Sequence, residues 1–382
     1  MRGQADDQTP LFHFFNLEDR IRRDHPLRDI KRRADRILAA LAEQFAAAYS
    51  HTGRPSVPPE RLLKALLLMS LYSIRSERQL CEAIDVNLLF RWFLDMQPSE
   101  EAFDATTFTK NRQRLDDHDL TRSFFAAVVA EALTAGLCSE HFSVDGTMIE
   151  SYAAAKSFQP KDADQGETPK DSGGFQPRNV EVDFHGQKRS NDTHASRTDP
   201  EAKLHRKGPG KEAKLSHMGH VLSENRHGLI LEIRATEANG TAERSAALEM
   251  IDQLKTTHRM QPKTVGADKG YDCGDFFQEL EQRQIEPHVP LVKAPTEPDT
   301  VAHKKRRAGV AARHRMQARL TSEAYRLSQK CRKKVEECFG WLKTIAGLDR
   351  SRTVGRWKLQ QALELGAAAF NLVRLVKLRP AI

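Results

Sequence analysis

Between Phe142 and Leu348 the chain alternates short apolar runs with longer segments of helical period, and few folds accept that order. Phe142-Ser-Val-Asp145 has a strand pattern. His220-Val-Leu-Ser and Gly228 to Ala235 flank Asn225-Arg-His-Gly228, which predicts a hairpin. Ala242 to Thr257 repeats Ala246, Leu248, Ile251 and Leu254 at helical spacing. Thr264-Val-Gly-Ala-Asp268 is a second short strand, Phe276 to Arg283 a helix, and Pro287 to Val292 another strand. Glu323 to Leu348 predicts one long helix, and Leu359 to Leu378 a last one packed on this body. Strand, hairpin, helix, strand, helix, strand and long helix together describe a mixed sheet carrying helices.

The segment before it is different. Up to about Gly136 it reads as helical. Pro59 and Glu60 open a helix with a broad apolar face through Leu62, Leu63, Leu66, Leu67 and Met69. Ser76 suits the cap of the next helix, with Gln79 three residues on. Asp104 or Thr106 suits the cap of a helix through Phe108, Arg112 and Leu115, and Gly136 suits the stop of the last. The fold class expected is therefore α+β, a helical domain over residues 1–137 followed by a mixed-sheet domain over 138–382. Residues 156–214 are polar and nearly free of large apolar runs, which predicts a long insertion or loop. A basic insertion is expected at about 294–322, with Lys304, Lys305, Arg306, Arg307, Arg313, Arg315 and Arg319 either forming a solvated face or neutralising phosphates.

The formal net charge of +8 points to a polyanionic partner such as nucleic acid. The five cysteines lie far apart and form no CxxC pair, which fits a reducing compartment rather than a zinc site. The N-terminal residues have no signal-peptide pattern, and the longest apolar run, Leu62 to Tyr72, is interrupted by Lys64 and too short to span a bilayer. The expected location is the cytoplasm, with no membrane partner. Trp92 reads as core and Trp341 as a second interface or a DNA contact, whereas His217 and His220 read as solvated.

Three acids stand out by position. Asp145 and Asp268 each end an apolar strand, where ligands gather in open α/β sheets. Taken alone, each also reads as an ordinary turn residue. On the long helix the apolar stripe is Val335, Phe339 and Leu342. At 100° per residue Arg332, Glu336 and Lys343 fall roughly 60–100° from Val335, at the stripe's edge, and Glu337 falls roughly 200° away. Glu336 is therefore placed to reach a site at the sheet's end, although Arg332 and Glu336 also read as a plain i,i+4 pair. Carboxylates brought together repel unless a cation lies between them, and oxygen donors suit Mg²⁺ or Mn²⁺. Three such acids can hold two metals about 4 Å apart, the arrangement that serves phosphodiester cutting and joining.

At this point the chain resembles the insertion-sequence five family of bacterial transposases. The resemblance rests on Asp24-His-Pro-Leu27, Gly53-Arg-Pro-Ser56 before Pro59-Glu60, Arg75-Ser-Glu-Arg-Gln-Leu80, Asn87-Leu-Leu-Phe-Arg-Trp-Phe93 and Thr107-Phe-Thr-Lys-Asn-Arg112. It continues in His141-Phe-Ser-Val-Asp-Gly-Thr147, Lys156-Ser-Phe158, Thr198-Asp-Pro200 and Gly266-Ala-Asp-Lys-Gly-Tyr271. The resemblance implies an N-terminal DNA-recognition domain and a ribonuclease-H-like domain whose triad matches Asp145, Asp268 and Glu336, holding two Mg²⁺ or Mn²⁺ ions. It implies a helix motif of Tyr, Arg, Glu and Lys, matched by Arg332, Glu336 and Lys343, but with Gln329 at the Tyr position. It implies double-stranded DNA as partner, with the element's terminal inverted repeats and a target, and a homodimer on that DNA in a bacterial nucleoid. Candidate DNA contacts are Arg75, Arg78, Lys110, Arg112 and Arg114 in the helical domain, with Arg332 and Lys343 on the long helix. The alternatives are a DNA-binding relic of a transposase with a dead site, a nuclease that cuts without joining, and a haloacid-dehalogenase-like phosphatase. The last would need an aspartate nucleophile where the chain has Ser143.

Overall fold

The computed structural model describes residues 16–49, 52, 56–161, 190–206, 208, 210–240, 242–295 and 304–378. Gly53 to Pro55, the middle of the polar insertion (162–189) and His303 lie outside the described residues, as do the side chains of Lys304, Lys305 and Arg306.

Eight helices come first: α1 (Leu17–Arg20), α2 (Pro26–Ala40), α3 (Ala42–Ala48), α4 (Pro59–Leu71), α5 (Glu77–Val86), α6 (Leu88–Phe93), α7 (Thr106–Asp117) and α8 (Leu120–Thr134). Their ends follow the local chemistry. Ser76 Oγ accepts from Gln79 N (3.2 Å), Asn87 Oδ1 from Leu89 N (2.9 Å) and Asp104 Oδ1 from Thr106 N (2.7 Å), satisfying amides that a helix start leaves open. Gly136, at φ +67°, closes the end of α8 in the left-handed conformation that glycine adopts without strain. In α4 every residue from Leu62 to Leu68 is buried, so this helix runs through the interior. Lys64, the break in its apolar run, is tolerated there because Asp35 Oδ1 (2.7 Å) and Asp95 pair its ammonium. Trp92 is core, as expected, with its indole N–H donating to Glu18 Oε2 (2.5 Å).

The sheet follows: β1 (His141–Glu150), a small β2 (Phe158–Pro160) and β3 (His194–Ser196) pair, β4 (Lys203–Arg206), β5 (Ala213–Glu224), β6 (Ile230–Glu237), β7 (Thr264–Gly266) and β8 (Glu286–His288). Between and after them lie α9 (Ala242–His258), α10 (Gly274–Gln282), α11 (Lys304–Arg319), α12 (Glu323–Thr344) and α13 (Arg356–Leu378). The strand order is β6-β5-β1-β7-β8, with β4 beside the first residues of β5. β5 is antiparallel to β1 and β6, whereas β7 and β8 run parallel to β1. Three antiparallel strands extended by two parallel ones, with helices on both faces, make a ribonuclease-H-like mixed sheet behind a helical front.

Four expectations need correction. β1 does not end at Asp145: β5 pairs with it from Phe142 to Glu150, so the ladder carries the strand on. The polar insertion is not a bare loop at its ends, because β2, β3, β4 and the first residues of β5 form there. His217 and His220 are buried, since both point into the sheet's covered faces; His217 Nε2 meets Asp199 Oδ2 (3.0 Å) and His220 Nε2 meets Thr236 Oγ1 (2.8 Å). The basic insertion folds as α11 against α10, and acids take several of its arginines: Arg313 bonds Asp272 (2.8 Å), and Arg315 and Arg319 reach Glu281.

The C-terminal helix α13 is buried along most of its length and touches α2, α4, α7 and α8 on one side and β6 on the other. One apolar core consequently runs from Leu27 and Leu67 through Phe125, Val144 and Ile233 to Leu372. Trp341 packs edge-on against Phe370 of this helix (centroids 5.6 Å apart), so its second interface lies inside the chain.

Candidate active site

The parallel register of β1 and β7 sets the site. Ser143 stands opposite Gly266; two residues further along each segment lie Asp145 and Asp268. β7 stops at Gly266, so Asp145 sits in mid-strand where its parallel neighbour has already turned away. Asp268 Oδ1 accepts from Gly270 N (2.8 Å) and caps the short 3₁₀ turn Lys269–Tyr271. Asp145 Oδ1 accepts from Gly146 N (2.8 Å).

The long helix α12 crosses this end of the sheet with Ser328, Val335, Cys338 and Leu342 buried. Ser322 caps its start by accepting from Tyr325 N (3.1 Å). The buried stripe sets the rotation of the helix, and Arg332 at its edge faces the acids: its Nη1 lies 3.4 Å from Asp145 Oδ2 and its Nη2 4.0 Å from Glu336 Oε1. Glu336 is largely exposed at the stripe's edge, whereas Glu337 lies on the other flank, 3.3 Å from Arg374 of α13. Lys343 Nζ donates to the Met148 carbonyl (3.1 Å) further along β1. Gln329, at the motif's Tyr position, donates to the His288 carbonyl (2.6 Å) and ties α12 to β8.

Electrostatics join the three acids. Burial pushes the Asp145 carboxyl up to about 6; the charges of Asp268 and Glu336 add to this, and the Gly146 amide and Arg332 oppose it. The donors are all hard carboxylate oxygens, and their mutual repulsion is what a divalent cation relieves. The residues present therefore fit Mg²⁺ or Mn²⁺. As the side chains stand, no three acidic, histidine or cysteine groups among the described residues converge at ligand distance.

Sequence reasoning missed three neighbours. Glu243, in the first turn of α9, is half-buried beside Gly146, and burial, Asp268 and Asp145 raise its carboxyl. Tyr271 is fully buried and its hydroxyl has no partner; burial first, then Glu243, Asp145 and Asp268, hold the phenol well above its ordinary range. His220 stands opposite Gly146 in the β1–β5 register. An acid in a helix's first turn is unremarkable in sequence; only the strand pairing brings it to Asp145. A separate buried network, Asp199 Oδ2 with Ser151 Oγ (2.8 Å) and His217, seats the returning end of the polar insertion.

In the helical front, Arg75, Arg78 and Lys110 are exposed. Arg112 Nε donates to Glu77 (2.9 Å), and the Arg114 guanidinium lies over the Tyr49 ring (4.4 Å). No helix among the described residues is long and apolar enough to cross a membrane.

An acid-lined end of a ribonuclease-H-like sheet, suited to divalent cations, defines the class of metal-dependent phosphodiester enzymes. Two family matches narrow it: a transposase domain over residues 15–114 and a transposase DDE domain over residues 138–372. The chain belongs to the DDE transposase family and is an enzyme of that kind, a DNA transposase. The phosphatase reading of Ser143 to Thr147 falls with it: Ser143 is wholly buried and donates to Asn225 Oδ1 (2.6 Å). No curated protein matches the chain. Among solved structures, it is similar to the Mos1 transposase paired-end complex with left transposon end at 13% identity, over 78% of this chain and 81% of that one, with a TM-score of 0.21. It is similar to the Mos1 Strand Transfer Complex at 12% identity, over 80% and 82%, with a TM-score of 0.20. The mariner Mos1 paired end complex with Mg gives 12% identity, 82% and 88% coverage and a TM-score of 0.20. Likeness at that level carries no argument about this chain's site.

Proposed function

We propose that the protein recognises the terminal inverted repeats of an insertion sequence and uses Asp145, Asp268 and Glu336 to cut the element's ends and join them to target DNA. The observation that carries this reading is the geometry that sets Asp145 and Asp268 at one end of the β1–β7 register, with Arg332 of α12 3.4 Å from Asp145 and 4.0 Å from Glu336. Bound there, two divalent ions would supply the activation of the attacking oxygen and the stabilisation of the leaving one. The chain's own residues do the positioning. Asp145 and Asp268 fix one wall through the strand register, and Glu336 supplies the other from an exposed and movable position. Arg332, between Asp145 and Glu336, holds the metal-free carboxylates and then faces the scissile phosphate; Lys343 braces β1 and lies in line with it along α12.

Phosphate contacts in the helical front come from Arg75, Arg78 and Lys110, which face solvent, while Arg112 and Arg114 stiffen α7 through Glu77 and Tyr49. The helical part (1–137) thus reads the element's end and the sheet (138–382) performs the chemistry. Because two ends are joined, a homodimer forms on DNA, in the cytoplasm of a bacterium where the nucleoid lies. The test is a labelled duplex carrying the element's own ends, incubated with Mg²⁺ and either wild type or Glu336→Gln. Wild type should cut and join, and the variant should bind DNA and do neither. Cutting by the variant would remove Glu336 from the site. Binding without reaction by both would leave a DNA-binding relic.

A further inference from the structure

The triad leaves part of this site unexplained. A Cβ built on Gly146 would lie 2.9 Å from Glu243 Oε1 and 3.1 Å from His220 Nδ1, so both groups converge on the space that the glycine leaves open beside Asp145. Both are placed by secondary structure: His220 by the antiparallel register with Gly146, and Glu243 by the first turn of α9, which packs on β1 and β5.

The orphaned atoms around Glu243 point to a hydrated ligand. His220 Nε2 meets Thr236 Oγ1 (2.8 Å), and that hydroxyl has the Glu237 carbonyl as a second partner (3.2 Å). The other ring nitrogen, Nδ1, is buried and without a partner on the Gly146 side. Burial keeps this ring neutral, its pKa down at about 4. The Tyr271 hydroxyl, in the turn that Asp268 caps, is also buried and unpartnered. An imidazole nitrogen and a phenol thus stand unpartnered beside these acids. Water held on a cation satisfies both, because it accepts from a phenol and donates to an imidazole lone pair.

We infer that Glu243 is a fourth carboxylate of the metal centre, binding the ion shared by Asp145 and Asp268 directly or through its water, with His220 Nδ1 and Tyr271 Oη as positioning groups for that water. The inference rests on the assignment of Asp145 and Asp268 as metal ligands. Gly146 is then required beside Asp145, since any side chain there would occupy the path of Glu243.

The test is Mn²⁺ binding to the full-length protein, followed by calorimetry and by the quenching of the free Mn²⁺ electron-spin signal. Wild type, Glu243→Gln, Tyr271→Phe and Asp268→Asn are compared, with thermal melting in EDTA as the folding control. Glu243→Gln should raise the Mn²⁺ dissociation constant about tenfold or more, the range that loss of a site's supporting groups gives. It should also raise the melting temperature in EDTA, because one of several repelling charges is gone. Tyr271→Phe should weaken Mn²⁺ binding less than Glu243→Gln. If Asp268→Asn weakens Mn²⁺ binding and Glu243→Gln does not, the inference is overturned and the triad stands. If neither does, the triad assignment itself has failed. A Glu243→Gln protein that melts lower in EDTA than wild type would make the glutamate structural and overturn the inference as well.

Discussion

Asn in place of Asp145 should abolish activity and yet stabilise the metal-free fold at neutral pH. In the folded protein this carboxyl titrates at about 6, chiefly because it is buried and further because Asp268 and Glu336 are close; its ordinary value is 3.8. The unfolded chain therefore ionises it from about pH 4, whereas the folded protein keeps its proton until about pH 6. A raised pKa contributes stability that is complete below pH 4 and is lost as pH rises toward 6. The difference between about 6 and 3.8 corresponds to about 3 kcal/mol at 1.36 kcal/mol per tenfold. Solvent screening removes little of this, because the side chain is only 21% exposed. Asparagine never ionises and keeps the acceptor for Gly146 N. It loses the 3.4 Å contact with Arg332, which takes back part of the gain. The net expectation is a variant about 2–3 kcal/mol more stable than wild type at pH 7.5, with the gap closing by pH 4. Urea unfolding in EDTA at both pH values measures it. Mg²⁺ should then stabilise wild type far more than the variant. A variant no more stable than wild type at pH 7.5, or a gap that does not change with pH, would refute the account of the site as crowded acids awaiting a cation.

Three further outcomes follow from other contacts. Asn371→Ala should cost about 2–5 kcal/mol in urea unfolding, because Asn371 serves both the N–H and the C=O of buried Ile230 on edge strand β6 (2.9 and 2.7 Å). Arg122→Met should cost about 3–5 kcal/mol at pH 8 by removing the cation that pairs buried Glu232 and Glu364. Melting at pH 5 should show a smaller loss, because burial already holds the Glu232 carboxyl up at about 7 and its protonation removes the unpaired charge. Gly146→Ala should leave DNA binding and folding intact while displacing Glu243, read as weaker Mn²⁺ binding than wild type.

How far this could be seen in the residues alone depends on whether the signal was local. Ser76, Asp104 and Gly136 mark helix ends by chemistry within three residues, and each lies where the pattern put it. The hairpin and the flank of α12 carrying Arg332 and Glu336 were likewise legible, because strand and helix periods are properties of a short window. Asp145 was placed at a strand end because the run Phe142-Ser-Val-Asp145 closes there, but the continuation of β1 is dictated by β5, which pairs from more than sixty residues away. His217 and His220 looked solvated because they lie near the hairpin, yet the sheet's alternation and the covering helices decide their burial. Glu243 was invisible for the same reason: its meaning lies in a register between two strands, neither of which contains it.

The placement of α13 decides how recognition and chemistry are coupled. This helix is the last in sequence, but its Gln361 bonds the Arg112 carbonyl of α7 (3.1 Å), and its Glu364 accepts from Thr121 of α8 (2.8 Å). Its Gln360 and Asn371 hold the backbone of β6 at Ala235, Ile233 and Ile230. The helical front and the sheet therefore share a spine rather than a hinge, and the core is continuous through it. A DNA end held by α5 and α7 would then lie at a fixed offset from Asp145, and the cut position would follow from rigid geometry rather than from closure of one part on the other. Weakening the spine, as in Asn371→Ala, should for that reason blur the position of the cut before it abolishes cutting. Gel mapping of the cleaved ends would read this as a spread of neighbouring products. A single product at reduced yield would instead mean that the offset is set by contacts of the DNA itself.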